Sequence, residues 1–238
     1  MGDLHPGGAP ATLRILRWLT ELDVRRVLEV GAGIGNTAAR MASRGWDVTA
    51  LEPDPVLFAR LRRRLGVRAR CERFLDHRPA VAYDAIVAES VFFQMNLAEV
   101  FAHARLLLRP AGYLAFVEAV WTERVDGEIT RHLHETTQNL FGIAVGSREP
   151  MTWRHWSSEL SACGFETLHA ELLPRGSAGH PPTANWPASI RALIRDPRLA
   201  LWSVRYRARK RSAPMPPGVQ ESWIFLGRGR EDRTLPAP

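Results

Sequence analysis

The chain has 238 residues, 45% hydrophobic and 24% charged, a composition that excludes collagen, a long coiled coil and wholesale disorder. Its two cysteines, Cys71 and Cys163, lie far apart, which argues against a disulfide framework and excludes a CxxC metal motif. No apolar run approaches the roughly 20 residues that span a bilayer, and residues 1–18 contain no apolar signal core. We therefore expect a cytoplasmic protein without a membrane segment.

The charge balance has two interpretations. The net charge is +7, and 32 residues are Lys or Arg, which is compatible with an anionic partner. However, Lys210 is the only lysine. Such a bias towards arginine also follows from a GC-rich coding genome, so the charge alone does not identify a partner.

Strand and helix patterns alternate through the first half of the chain. Gly and Pro residues punctuate the pattern, as at Asp54-Pro55, where Asp suits an N-cap and Pro the first helical turn. Leu57, Leu61 and Leu65 lie on one face of the helix that begins there and ends at Gly66. The predicted strands are 24–30, 47–52, 67–74, 83–89 and 112–120, and the other helices are 11–22, 37–44 and 97–108.

The second half is less regular. It predicts a helix over 126–143, a helix from Thr152 to Gly164, and strands over 165–173 and 221–228, with a disordered tail at 229–238. A Pro/Gly-rich loop over 174–186 precedes a basic helical segment over 187–211. Together the patterns predict one α/β domain over 1–238. Its doubly wound, mostly parallel, Rossmann-like sheet has seven strands, with helices on both faces. The core is 11–120, and 121–164 and 187–211 are helical lid insertions.

A glycine-rich turn follows the first strand. Gly31, Gly33 and Gly35 let the backbone turn tightly and approach a ligand closely. Glu52 ends the next strand, where in doubly wound folds a carboxylate accepts the hydroxyls of a ribose. The glycines alone are a weak signal, whereas strand, glycine turn, helix, strand and acid in register are a strong one. We expect Glu52→Ala to weaken ligand binding with little loss of fold stability.

Two residues indicate which kind of nucleotide ligand the turn would bind. A dinucleotide fingerprint reads G-x-G-x-x-G, but Asn36 stands at its last position. Glu29, two residues before the first glycine, would repel a pyrophosphate and could hold a cationic amine. The pattern therefore indicates a ligand that combines a ribose with an amino acid, and not NAD.

The motifs resemble those of the class I S-adenosylmethionine-dependent methyltransferases. Over 11–120 the matching pieces are EVGAGIG at 29–35, LEPD at 51–54, YDAIV at 83–87 and LLRPAG at 107–112, although Ala111-Gly112 stands where the family usually has two glycines. The resemblance implies S-adenosylmethionine as cofactor, with Glu52 at the ribose, Glu29 near the methionine amine and Phe74 beside adenine, and leaves open whether Asp76 serves the adenine. The implied cofactor residues are Glu29, Gly31, Ala32, Gly33, Gly35, Asn36, Glu52, Pro53, Phe74 and Glu89.

The acceptor should lie outside the carboxyl ends of the fourth and fifth strands. We expect Ser90, Phe93 and Trp121 to contact it, and Glu118 to act as a base or an amine anchor. The Phe92-Phe93 pair also fits a packed core. No metal is expected, because His132 and His134 lack the i, i+4 spacing of helical zinc ligands.

Three functions remain open from the sequence. The first is methyl transfer to a small molecule, in natural-product metabolism. The second is methylation of a peptide or an RNA docked on 191–211, where eight basic residues accompany one acid. We favour instead an amphipathic lid over the active site for that segment, which makes nucleic acid the less favoured partner. The third is S-adenosylmethionine binding without transfer. The acceptor atom and the oligomeric state are not encoded in a recognisable pattern.

Overall fold

The computed structural model describes residues 5, 7–123, 151–174 and 220–231, with 125, 127, 128, 131 and 135 as isolated positions. The basic segment 187–211, the loop after 174, most of the helix predicted over 126–143 with His132 and His134, and the tail beyond 231 lie outside these residues. No helix in the described part is long and apolar enough to cross a membrane.

In the part of the chain that the structure describes, seven strands form one sheet in the order β3-β2-β1-β4-β5-β7-β6, and β7 runs antiparallel to the other six. This arrangement confirms the predicted fold class. The strands are β1 (Arg26–Val30), β2 (Asp47–Leu51), β3 (Val67–Arg70), β4 (Tyr83–Glu89), β5 (Leu108–Trp121), β6 (Phe165–Leu172) and β7 (Gln220–Gly229). The described helices are α1 (Gly8–Glu21), α2 (Asn36–Ala42), α3 (Pro55–Leu61), α4 (Leu97–Leu107) and α5 (Trp153–Ala162).

Side-chain caps fix the helix starts that the sequence predicts. The carboxylate of Asp54 accepts the N–H groups of Val56 and Leu57, and Asn96 caps α4 through the N–H of Glu99. The helix after Asp54 is shorter than predicted, because α3 ends at Leu61. The prediction that Leu65 shares its buried face is therefore wrong, and Leu65 is 93% exposed.

The third strand is also shorter than predicted. β3 ends at Arg70, and Phe74 begins a single turn of 3-10 helix that ends at Asp76. Arg68 and Arg70 are exposed and alternate with Val67 and Ala69, which pack against the core, as befits an edge strand with one covered face. The residues between β3 and Phe74 thus form a loop at the carboxyl edge of the sheet.

Two apolar cores lie on the two faces of the sheet. α1, α2 and α3 cover one face, and α4 and α5 cover the other. Aromatic rings fill the second core, where Phe116 of β5 stacks on Phe225 of β7 with ring centroids 4.7 Å apart. Because both faces are covered, a ligand can reach the backbone only at a sheet end, and the glycine turn places it at the carboxyl end.

Candidate cofactor site

The turn after β1 has the backbone that its glycines predict. Gly31, Gly33 and Gly35 have φ angles of +65°, +57° and +78°, in the left-handed region that favours glycine. The Ala32 N–H donates to the carbonyl of Leu51 at 2.9 Å, which ties the turn to β2. A Cβ built on Gly33 meets no atom of the described residues within 4 Å, so in that part of the chain this side of the turn is open to a ligand.

Glu52 fastens the same turn. Its Oε2 accepts the Gly33 N–H at 2.7 Å, and its Oε1 accepts the Asp54 N–H at 2.9 Å. The residue is only 6% exposed, and this burial raises the pKa of the carboxyl although the two N–H groups oppose the shift. Each oxygen keeps a second lone pair for a ligand hydroxyl. Pro53, which follows, is exposed.

Glu29 is buried beneath the turn. Its Oε2 has no hydrogen-bond partner among the described residues, while the Ala38 N–H at the start of α2 donates to the carboxyl. Burial first, and then the neighbouring carboxylate of Glu89, raise the pKa of Glu29 well above its ordinary value. A buried acid with an unsatisfied oxygen is a fitting partner for a cationic amine.

Glu89 is held from both sides at the end of β4. Thr12 of α1 and Thr37 of α2 each donate a hydroxyl hydrogen bond to its carboxylate at 2.7 Å. The His5 ring nitrogen Nε2 lies 3.1 Å from the Thr12 hydroxyl and 3.5 Å from Glu89 Oε1. The sequence reasoning missed these three partners, although a threonine on the buried face of α1 was a detectable signal.

Arg64 clamps the far end of the turn. Its Nε donates to the Ile34 carbonyl at 2.9 Å, and its guanidinium also donates to Asn36 Oδ1 at 2.8 Å. The side chain of Asn36 is therefore fixed by the protein at the first residue of α2. Nothing in the run of arginines around it marks Arg64 in the sequence.

Arg64→Ala should weaken S-adenosylhomocysteine binding about tenfold, because each lost hydrogen bond from a charged group contributes about 1.5–3 kcal/mol to ordering the turn, less where water reaches it. Isothermal titration calorimetry measures the change. Arg63→Ala is the matched control, since Arg63 is an exposed neighbour, and it should bind like the wild type. Equal affinities for the two variants would contradict the clamp.

The remaining predicted residues divide between core and edge. Phe74 is buried, with its ring edge-on to His103 at 5.0 Å, so packing already accounts for it and its adenine contact stays a prediction. Ser90 has a left-handed φ of +60°. Phe93 lies beyond the end of β4, Trp121 is the last residue of β5, and both are partly buried. Phe92 is fully buried, as expected of a core residue.

Glu118 lies in β5 and not at the surface. Its exposure is 0%, and its Oε1 accepts the N–H groups of Val91 at 2.8 Å and Phe92 at 2.7 Å. Burial raises the pKa of Glu118 to about 8. The carboxyl is therefore mostly protonated at neutral pH, and its role as a base remains a prediction.

The donor set fits S-adenosylmethionine. An open glycine turn, a strand-end acid with free lone pairs and a buried acid with an orphaned oxygen meet at one edge of the sheet, next to Glu89. They fit the three parts of such a ligand that need recognition: the methionine chain that passes close to the protein backbone, the ribose diol and the ammonium group.

Comparison with known proteins agrees with this geometry. Residues 28–114 match a family described as a methyltransferase domain. The chain is 23% identical over 186 residues to YodH, an uncharacterised methyltransferase of Bacillus subtilis, covering 75% of this chain and 76% of that protein. Its structure is similar to an S-adenosylmethionine-dependent methyltransferase from Geobacter sulfurreducens solved with S-adenosylhomocysteine, at TM-score 0.66 and 16% identity over 95% of this chain and 93% of that one.

A second solved structure adds a bound substrate. The 1,6-didemethyltoxoflavin-N1-methyltransferase of Burkholderia thailandensis, solved with 1,6-didemethyltoxoflavin and S-adenosylhomocysteine, has a TM-score of 0.58 and 16% identity over 93% of this chain and 77% of that one. Motifs, sheet order and family match agree: residues 28–114 match a methyltransferase domain family, and the described sheet shares the fold of the solved methyltransferases. The family match indicates an enzyme that transfers methyl groups, and the motifs predict S-adenosylmethionine as its cofactor.

Proposed function

We propose that the chain transfers the methyl group of S-adenosylmethionine to a flat small molecule of natural-product metabolism, bound outside the carboxyl ends of β4 and β5. The observation that carries this proposal is an aromatic surface there. Trp153 stacks on Trp223 with centroids 5.0 Å apart and rings 13° from parallel, and Trp223 pairs across the sheet with Glu118. Both rings are partly buried, and the Arg154 guanidinium lies over the Trp153 ring, 5.0 Å from its centroid, so a planar acceptor would contact the parts of the two rings that stay exposed.

The cofactor contacts belong to the same proposal. Glu52 receives the two ribose hydroxyls, and Glu29, with Glu89 beside it, receives the methionine ammonium. When bound, S-adenosylmethionine supplies an electrophilic methyl group. The protein's task is then to align the acceptor and to exclude water, and a base is needed only where the acceptor atom carries a proton.

Two observations support a small acceptor over a macromolecule. The Burkholderia methyltransferase named above holds a small molecule together with its cofactor product. In the described part of this chain, the aromatic pair Trp153–Trp223 lies on the same sheet face as Phe116 and Phe225, in continuity with the core.

A labelling screen tests the proposal. The protein and radiolabelled S-adenosylmethionine are incubated in three separate reactions with a methanol extract of metabolites, with total RNA and with a peptide mixture. Glu52→Ala serves as the inactive control. We expect label in the methanol-soluble fraction that depends on Glu52. Label only in RNA or peptide would contradict the substrate class while leaving methyl transfer in place, and binding with no transfer to any fraction would favour a non-catalytic protein.

We expect the Glu29 carboxyl to release a proton when the cofactor binds. The raised pKa of Glu29 keeps its carboxyl protonated to a higher pH than usual in the free protein, and an ammonium beside it lowers that pKa, so binding expels a proton. Apparent affinity should therefore rise with pH through the raised pKa of Glu29. Calorimetry of S-adenosylhomocysteine in buffers of different ionisation enthalpy counts the protons. Glu29→Gln should release fewer, and equal release by both proteins would argue against this pairing.

A further inference from the structure

The loop after β4 is fixed to β5 by a buried acid. Besides the two hydrogen bonds that Glu118 Oε1 accepts from Val91 and Phe92, the Ser90 N–H donates to the Val117 carbonyl at 2.8 Å. Ser90 has a φ of +60°, a conformation that costs a non-glycine residue free energy and persists only where the surroundings impose it. The hydrogen bonds to β5 supply that constraint.

The same loop supports the cofactor site at two points. A Cβ on Gly31 would lie 2.5 Å from a methyl group of Val91, so Val91 packs directly on the first residue of the glycine turn. On the other side, the centroid of the Phe92 ring lies 5.9 Å from that of Phe74, the residue predicted to lie beside the adenine. Phe92 also contacts Phe101 and Phe116 edge-on. Displacing the loop would therefore disturb both ends of the cofactor site.

We infer that Glu118 is a positioning residue for S-adenosylmethionine binding, because it fixes the backbone of Val91 and Phe92 and these two side chains support the glycine turn and Phe74. No contact with the acceptor is required for this role. Its full burial among the described residues leaves no open path to a substrate, and its other oxygen, Oε2, has no hydrogen-bond partner in that part of the chain. A neutral acceptor suffices for both N–H groups, which agrees with the raised pKa.

Two substitutions separate this role from others. Glu118→Gln keeps an acceptor oxygen in nearly the same place, so S-adenosylhomocysteine should bind within about threefold of wild type. Glu118→Leu removes the acceptor and leaves two N–H groups unpaired, so binding should weaken at least about tenfold. Hydrogen exchange of the peptide covering 89–93 should be faster in Glu118→Leu and unchanged in Glu118→Gln. Leu160→Ala, in the same core but away from the loop, controls for general destabilisation and should lower Tm without changing affinity.

Val91→Ala provides a second test should Glu118→Leu not fold. It removes the methyl groups that pack on Gly31 while leaving the carboxyl in place, and it should weaken S-adenosylhomocysteine binding about threefold or more. Wild-type affinity in both Glu118→Leu and Val91→Ala would overturn the inference. So would a Glu118→Gln variant that keeps its affinity but no longer transfers methyl groups to the methanol extract, because that result is expected of a catalytic base. The inference assumes the proposed cofactor site. Failure of the wild type to bind S-adenosylhomocysteine would count against that site, and the same titrations reveal it.

Discussion

Glu52→Ala should lower the affinity for S-adenosylhomocysteine by at least about 100-fold. Two hydrogen bonds from ribose hydroxyls to a carboxylate are lost, each contributing about 1.5–3 kcal/mol, and tenfold in affinity corresponds to about 1.4 kcal/mol. The Gly33 N–H also loses its acceptor at 2.7 Å, which loosens the turn that approaches the ligand. Isothermal titration calorimetry of the two proteins measures the ratio directly.

The structure changes one part of the sequence-based expectation for Glu52. Since the carboxylate accepts two backbone N–H groups and is almost fully buried, its removal should also cost stability, about 1–3 kcal/mol for each donor left buried without a partner. Glu52→Gln restores one acceptor oxygen and should recover much of that stability while binding the ribose more weakly than wild type. Glu99→Ala, an exposed acid on α4, should change neither quantity. An unchanged dissociation constant in Glu52→Ala would show that Glu52 does not reach the ribose.

Rising pH should destabilise the wild type relative to Glu118→Gln. The pKa of Glu118 is about 8 in the folded chain and near the ordinary 4.3 in the unfolded chain. The folded state therefore holds a proton that the unfolded state releases, so the free energy of unfolding falls as pH rises from about 4.3 and levels off above about 8. At about 1.4 kcal/mol for each pH unit, the total effect approaches about 5 kcal/mol as an upper bound.

Urea unfolding of both proteins from pH 5 to pH 9 measures this difference. The raised pKa values of Glu29 and Glu52 affect the two proteins alike, so they cancel when the curves are subtracted. We expect the gap to widen steadily up to pH 8 in favour of Glu118→Gln. Parallel curves over the whole range would mean that Glu118 is not buried as described.

The sequence predicts the fold well because each element carries its own local signal. Apolar strands such as 83–89, the cap at Asp54 and the glycine turn at 31–35 are all encoded within a few residues, and the structure has an element at each. Local signals failed where they were weakest. The periodic Leu65 suggested a longer helix, but the chain leaves the helix after Leu61 and packing no longer reaches it.

The acids of the site were predictable from their places at strand ends, whereas their supports were not. Thr12 and Glu89 are 77 positions apart, and Arg64 and Asn36 are 28 apart, so no local pattern joins either pair. The sequence places Glu118 near the acceptor site at the carboxyl ends of the strands, but its hydrogen bond with Val91 depends on how β4 and β5 align. Such partners follow from tertiary packing and become visible only in three dimensions.

A crystal structure of the chain with S-adenosylhomocysteine tests the site most directly. We expect both ribose hydroxyls within hydrogen-bonding distance, about 2.5–3.0 Å, of the Glu52 carboxylate, and the ammonium group beside Glu29 and Glu89. The homocysteine chain should cross the open face of the turn at Gly33. Adenosine bound elsewhere, with Glu52 still contacting only the N–H groups of Gly33 and Asp54, would contradict the proposed cofactor site.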